Sequence, residues 1–343
     1  MKLATLKDGT RDGTLLVVSR NLEHAAKADH LAPTLQSALD DWAYCAPLLE
    51  QLYNEINDGS APSASARAFS LDARQLMAPL ARAYQWLDAS AYLNHVELVR
   101  KSRGAEMPPE FKREPLMYQG ASDAFIGACD DIICGSEDWG IDLEAELAVI
   151  LGDVPMSVDA DKAGQHIRLL ALVNDVSLRN LIPAELSKGF GFLNGKPWTA
   201  FSPVAVTPDE LGEAWDGKRA HLPLVSHVNG ELLGKPNCGA DMVFHYPRLI
   251  AHAAKTRALA AGTVLGAGTV SNRDRSTGCG CLAEKRAIET IEHGKPDTPF
   301  LKFGDRVRIE MLDAQGRSIF GAIDQQVVKL REQGNRSSPV APS

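Results

Sequence analysis

The chain has 343 residues, of which 45% are hydrophobic and 23% charged, and a formal net charge of −8. That length suits one large domain with a smaller companion and an ample core, while an acidic balance without a basic stripe argues against a nucleic-acid partner. No apolar run approaches the roughly 20 residues of a membrane span, the stretch from Thr14 to Ser19 is too short for a signal peptide, and the cysteines (Cys45, Cys129, Cys134, Cys238, Cys279, Cys281) read as scattered, reduced thiols of a cytosolic protein.

In chain order, Lys2 to Leu6 and Thr14 to Ser19 read as a hairpin around a turn-rich Lys7 to Gly13. Residues 34–55 carry helical spacing at Leu35, Leu39, Trp42, Leu48 and Leu52, stopped by Asn57-Asp58-Gly59 and the loop Ser60 to Ser63. A small N-terminal domain over residues 1–80 is the expectation. Trp86 to Val99 is also spaced as a helix, which would set Asp88 and His95 two turns, roughly 10 Å, apart on one face. Spacing alone leaves Asp88 an ordinary helix cap and His95 an ordinary histidine.

Two apolar runs are interrupted by carboxylates. In Ile141 to Leu151, strand alternation puts Leu143, Ala145, Leu147 and Val149 on one face and Glu144 and Glu146 on the other, roughly 6 to 7 Å apart. As a helix the same run would turn the glutamates to nearly opposite sides, but Trp139-Gly140 and Gly152-Asp153 bracket a length that favours a strand. Asp175 ends the second run, Leu170 to Val176. Like charges on such apolar strands cost several kcal/mol per ion unless hydrogen bonds or a cation compensate, so a divalent metal is expected.

Residues 81–331 read as β-rich, with strands near 147–151, 169–176, 201–206, 222–229, 263–270, 306–312 and 319–328, and one helix from Tyr246 to Leu259. Lys196 lies in the turn Asn194 to Trp198 beside Phe190 and Phe192, and Arg179 follows Asp175; such cations polarise a carboxylate or carbonyl, or are simply solvated. Gly262 to Ser271 runs G-x-G-x-x-S without an acidic partner downstream, so no nucleotide site is expected. Cys279-Gly280-Cys281 is too tight for ordinary zinc spacing and reads as a loop. The tail, residues 332–343, is polar and Pro/Ser-rich, the composition of a disordered segment.

The ordered motifs resemble the fumarylacetoacetate hydrolase family over roughly residues 85–328: Asp88 and His95 as Asp-x6-His, Tyr118 in MYQGAS, Glu144 and Glu146 as Glu-x-Glu, NDVSLRN around Asp175 and Arg179, GKPWTAFSP around Lys196, AGTVSN around Thr269, and CLAEKR around Glu284. The resemblance implies an α+β, β-rich fold, with a mixed β-sandwich roll as catalytic domain behind the small N-terminal domain, usually as a homodimer. It implies Mg²⁺ or Ca²⁺, with Mn²⁺ as an alternative, on Asp88, Glu144, Glu146 and Asp175. It also implies a His95–Glu284 pair that activates water, Lys196 and Arg179 as cationic donors, and Tyr118 and Thr269 as substrate contacts. The chain departs from the family pattern where Ile182 stands in place of a glutamine and Asn180 in place of an aspartate.

The expected activity is hydrolysis of a carbon–carbon bond in a small acidic β-diketo acid, foremost fumarylacetoacetate in tyrosine breakdown. The rivals are a decarboxylase, hydratase or isomerase of a 2-oxo acid on the same fold, and a non-catalytic binding protein stabilised by its cation.

Overall fold

Strand pairing begins at the second residue. In the computed structural model, which describes residues 1–58 and 68–331, Lys2–Leu6 and Thr14–Val18 form the expected antiparallel hairpin with Leu3 opposite Val17. The other edge of Lys2–Leu6 pairs with Ala205–Val206, so the N-terminal strands run on into the same sheet as the rest of the chain. That sheet has eleven strands, in the order Phe69–Ser70, His24–Lys27, Thr14–Val18, Lys2–Leu6, Ala205–Val206, Ile167–Asn174, Ala145–Leu151, Val264–Gly266, Trp86–Ala89 and Met117–Gly120, with Ala200–Phe201 also paired to Ile167–Asn174. A second, five-stranded sheet holds Glu231–Gly234, Leu224–Val228, Arg306–Met311, Ile323–Lys329 and Ile132–Cys134. The fold is α+β and sheet-rich, as expected, with no closed barrel among the described residues.

Alternation along the central strands divides the core in two. Ala145, Leu147, Val149 and Leu151 pack in the cluster that contains Val307, Ile309 and Ile323 of the second sheet, whereas Ala148 and Ile150 pack with Leu35, Leu39 and Leu49 of the N-terminal helices. Both faces are therefore covered, which is why the run from Ala145 to Leu151 is apolar at every position except Glu146. Asp88 and Glu146 continue the face of Trp86 and Ala148.

Several expected elements differ. Trp86 to Val99 is not one helix: Trp86–Ala89 is a buried strand, parallel to Val264–Gly266 and antiparallel to Met117–Gly120, and the helix starts at Leu93 and ends at Lys101. Two ladder partners outweigh the weak local propensity of the segment. The N-terminal helix is two, Leu35–Asp40 and Trp42–Asp58, broken at Asp41 with φ −129° and ψ 52°. Strand 201–206 divides at Ser202-Pro203, where proline has no N–H for the ladder. The helix from Tyr246 stops at Ala253, and Leu282–His293 is a further helix that alternation and turn signals did not reveal. The loop at Ser60 to Ser63 and the tail beyond Arg331 lie outside the described residues.

Candidate active site

Three neighbouring strands bring the first carboxylates together. Val264–Gly266 runs between Trp86–Ala89 and Ala145–Leu151, with Gly266 opposite both Asp88 and Ala148. A Cβ at Gly266 would stand 2.6 Å from Asp88 Oδ1 and 2.5 Å from the Trp86 ring, so only glycine lets the aspartate lie over this strand. Glu146 is opposite Val173 in the next ladder, and Asp175 follows the end of that strand with its N–H donating to Glu144 O at 3.0 Å. Asp88, Glu146 and Asp175 are all buried, and each offers a carboxylate oxygen within 4.8 Å of those of the other two.

The trio is charged poorly for a site left to itself. Both Glu146 oxygens are buried without a hydrogen-bond partner. Burial and the neighbouring Asp175 push Asp88 up to about 8, and burial with Asp88 beside it pushes Glu146 well above the ordinary carboxylate range. Converging hard oxygen donors with lone pairs to spare fit a divalent cation such as Mg²⁺, Ca²⁺ or Mn²⁺.

Glu144, expected in the same set, has different company. Its Oε1 accepts from Arg179 Nη2 at 2.6 Å and its Oε2 from Lys196 Nζ at 2.5 Å. Burial raises the Glu144 pKa, but Arg179 and Lys196 outweigh it and hold the carboxyl well below its usual range. Lys196 also donates to Asp175 Oδ2 at 2.5 Å, and the two carboxylates keep its ammonium charged against the cost of burial. Arg179 Nε donates to Asp142 Oδ2 at 2.8 Å, and the Asp142 oxygens accept from the N–H groups of Leu282 and Ala283 at 2.9 Å.

Asp142 thereby caps the helix that carries Glu284 and fixes Arg179 at the same time. The sequence reading passed over it, although it stands two residues before Glu144 in the same alternating run. Thr199, which donates to Asp175 Oδ1 at 2.8 Å, carried no signal beyond its place three residues after Lys196.

His95 faces this network from the helix Leu93–Lys101. Its Nδ1 lies 3.0 Å from Glu284 Oε2, and Glu284 is fully buried with Oε1 unpartnered. Cys281 ends the loop before that helix; its Sγ accepts from the Glu284 N–H at 3.3 Å and lies 4.0 Å from His95 Nδ1. Tyr118 donates to Asp175 Oδ2 at 2.5 Å, and its ring lies 5.5 Å from the Lys196 ammonium.

One cavity of about 190 Å³ collects the site. Asp88, His95, Tyr118, Glu144, Arg179, Lys196 and Thr269 line it, while Val99, Ile182, Leu186 and Phe192 form an apolar wall and Arg103 adds a cation that sequence reading did not single out. Glu146, Asp175 and Glu284, the remaining residues expected at the site, are held by or beside these lining groups. Residues separated by up to 196 positions in sequence thus meet around one small polar floor.

Comparison with known proteins agrees in extent. The family model described as fumarylacetoacetate (FAA) hydrolase C-terminal matches residues 85–328, and that of fumarylacetoacetase N-terminal domain 2 matches residues 1–82. A 2,4-didehydro-3-deoxy-L-rhamnonate hydrolase of Sphingomonas sp. is 28% identical over 65% of this chain and 68% of its own length. The mitochondrial oxaloacetate tautomerase of Xenopus laevis is 30% identical over 63% of this chain and 59% of its own. Among solved structures, maleylpyruvate hydrolase from Sphingobium sp. SYK-6, in complex with manganese(II) and pyruvate, superposes with a TM-score of 0.61 at 18% identity, covering 96% of this chain and all of that one. Among the described residues no helix is long and apolar enough to cross a membrane.

Proposed function

We propose, since the chain belongs to the fumarylacetoacetate hydrolase family, that it is a metal-dependent hydrolase cleaving a carbon–carbon bond of a β-diketo acid, with fumarylacetoacetate as the first substrate to test. The observation that carries this reading is the His95–Glu284 pair, 3.0 Å apart, opening onto the same cavity as the acidic cluster. A base with its orienting carboxylate beside a set of oxygen donors is what water activation at a polarised carbonyl requires.

Asp88, Glu146 and Asp175, with Glu144 at their edge, are the residues that would hold Mg²⁺, Ca²⁺ or Mn²⁺; when bound, such an ion supplies charge that stabilises enolate and carbonyl oxygens. His95 takes the proton of the attacking water at Nε2, because Nδ1 faces Glu284. Glu284 holds the ring in that orientation and stabilises the imidazolium, which returns the proton to the departing carbanion. Arg179 spends Nε on Asp142 and Nη2 on Glu144, so its contribution to an anionic substrate comes from Nη1. Lys196, drawn down by Glu144 and Asp175, places positive charge next to the developing oxyanion. Tyr118 and Thr269 line the cavity and are the substrate contacts in this reading, with the apolar wall keeping water from the bound substrate.

A second reading, tautomerisation or decarboxylation of a 2-oxo acid such as oxaloacetate, is favoured by the 30% identity to an oxaloacetate tautomerase and by Ile182 in the cavity wall. One experiment separates the two. Purified protein with Mg²⁺ is mixed with fumarylacetoacetate and the β-diketone ultraviolet absorbance is followed, beside His95→Ala and an EDTA-treated sample. Rapid loss that both controls abolish is the expected result. An unchanged absorbance with the wild type, together with turnover of enol-oxaloacetate, gives the second reading the site.

A further inference from the structure

A second cavity lies away from the catalytic floor. It holds about 510 Å³ and shares no lining residue with the cavity of the site, and small-molecule pockets span about 300–1,000 Å³. Its walls come from the first strand, the turn after the second, the end of the helix Trp42–Asp58 and the stretch 313–319, with Asp209 and Glu210 beside them. Alternation along Lys2–Leu6 puts Lys2 on the face of Ala4 and Leu6, so a lysine only 2% exposed stands where the strand is otherwise apolar.

The acidic and amide groups of these walls have partners. Asp313 pairs with Arg317 at 2.8 Å, and Glu210 and Asp209 face the Met1 ammonium at 3.1 and 3.6 Å. Asn57 accepts from the Arg20 N–H and donates to Tyr53 O, while Asn21 accepts from Ser19 and donates to Glu23.

Three donors on the same walls are left over. Lys2 Nζ makes one hydrogen bond, to Ile319 O at 2.5 Å, although an ammonium carries three N–H groups. The Arg20 guanidinium lies over the Tyr53 ring at 5.7 Å, and neither Lys2 nor Arg20 is ion-paired among the described residues. Ser318 Oγ, one residue before the carbonyl that Lys2 holds, is buried without a hydrogen-bond partner. Burial pushes the Lys2 amine down to about 8; Glu210 and Asp313 draw it up without reaching contact, and Arg20 and Arg317 lower it further. An under-partnered buried amine, a guanidinium and a hydroxyl make a set that an oxyanion completes, because charged hydrogen bonds then replace the water that burial removes.

We propose that this cavity is a second ligand site, taking a small molecule whose oxyanion, a carboxylate or a phosphate, is held between Lys2 and Arg20 with Ser318 donating to it. Lys2 and Arg20 belong to the N-terminal hairpin and its exit, whereas Ser318 leads into the last strand of the second sheet. A ligand on all three therefore joins the N-terminal strands to the second sheet and stabilises the folded chain by its own binding energy. The site does not depend on the activity proposed above.

The test uses the full chain with Mg²⁺, titrated calorimetrically with inorganic phosphate and separately with succinate at constant ionic strength. Saturable binding with a rise in Tm is expected; binding of phosphate alone points to a phosphorylated ligand, and binding of succinate alone to a carboxylated one. Arg20→Gln, at an exposed position, and Lys2→Met should each weaken that binding about tenfold or more, as the loss of one charged hydrogen-bond partner does. Arg103→Gln, at the catalytic cavity, should leave it unchanged. No saturable binding of either anion, an affinity that neither Arg20→Gln nor Lys2→Met lowers, or one that Arg103→Gln lowers as much as they do, would overturn the proposal. If Lys2→Met does not fold, Arg20→Gln decides alone. Because the readout is binding, failure of the hydrolase reading leaves the result intact.

Discussion

Two neighbouring groups of carboxylates are built to different ends. Glu144 and Asp142 are paired with Arg179 and Lys196 at 2.5 to 2.8 Å, so that half of the floor is electrically complete within the protein. Among the described residues, Asp88 and Glu146 have no cation in contact, and both Glu146 oxygens go without a hydrogen bond. Similar side chains two residues apart therefore sit in opposite states: Glu144 is held ionised and Glu146 is pushed toward its neutral form. The first is architecture, and the second is the pair we propose for the divalent ion.

That contrast breaks most severely at Glu144. Glu144→Gln leaves the Lys196 and Arg179 charges buried with half their compensation, and an uncompensated buried pair costs about 3–5 kcal/mol; urea unfolding should show the loss with or without metal. Glu146→Gln should do the reverse, leaving the metal-free protein as stable as the wild type or more so and abolishing the rise in Tm expected on adding Mn²⁺ to the wild type. Equal destabilisation by the two substitutions would dissolve the distinction.

The pH dependence sharpens it further. Burial and Asp175 raise Asp88 to about 8, above the ordinary value of about 3.9 for an unfolded aspartate. Between those values the folded state binds more protons than the unfolded one, so the contribution of this group is fully present below about pH 4 and is lost as pH rises toward 8. Metal-free protein should lose Tm across that window, and added Mn²⁺ should raise Tm more at pH 8 than at pH 6, because the ion replaces the protons. A Tm increment independent of pH would contradict this. The smallest effect is expected from Tyr118→Phe, which removes one of the three hydrogen bonds to the Asp175 carboxylate. It should cost about 1 kcal/mol in thermal unfolding and leave metal binding intact.

What could be read before the structure follows from the range of each signal. The hairpin of Lys2–Leu6 and Thr14–Val18 was legible because turn chemistry and alternation act over a few residues. The strand nature of Ala145–Leu151 was legible for the same reason, and the ten residues expected at the site, which the fold gathers around one cavity, were singled out because they fall in ordered motifs. The strand at Trp86–Ala89 was misread as helix because its partners, Val264–Gly266 and Met117–Gly120, are remote in sequence and supply the ladder that local spacing lacks.

By itself, then, the sequence determined the residue chemistry: which segments are apolar enough to be buried strands, and that carboxylates interrupt them. Only the tertiary structure decided which carboxylate keeps which company, since Glu144 meets Lys196 across 52 positions and His95 meets Glu284 across 189. Charge compensation in a buried site is a property of distances between elements, and neighbours along the chain do not encode it.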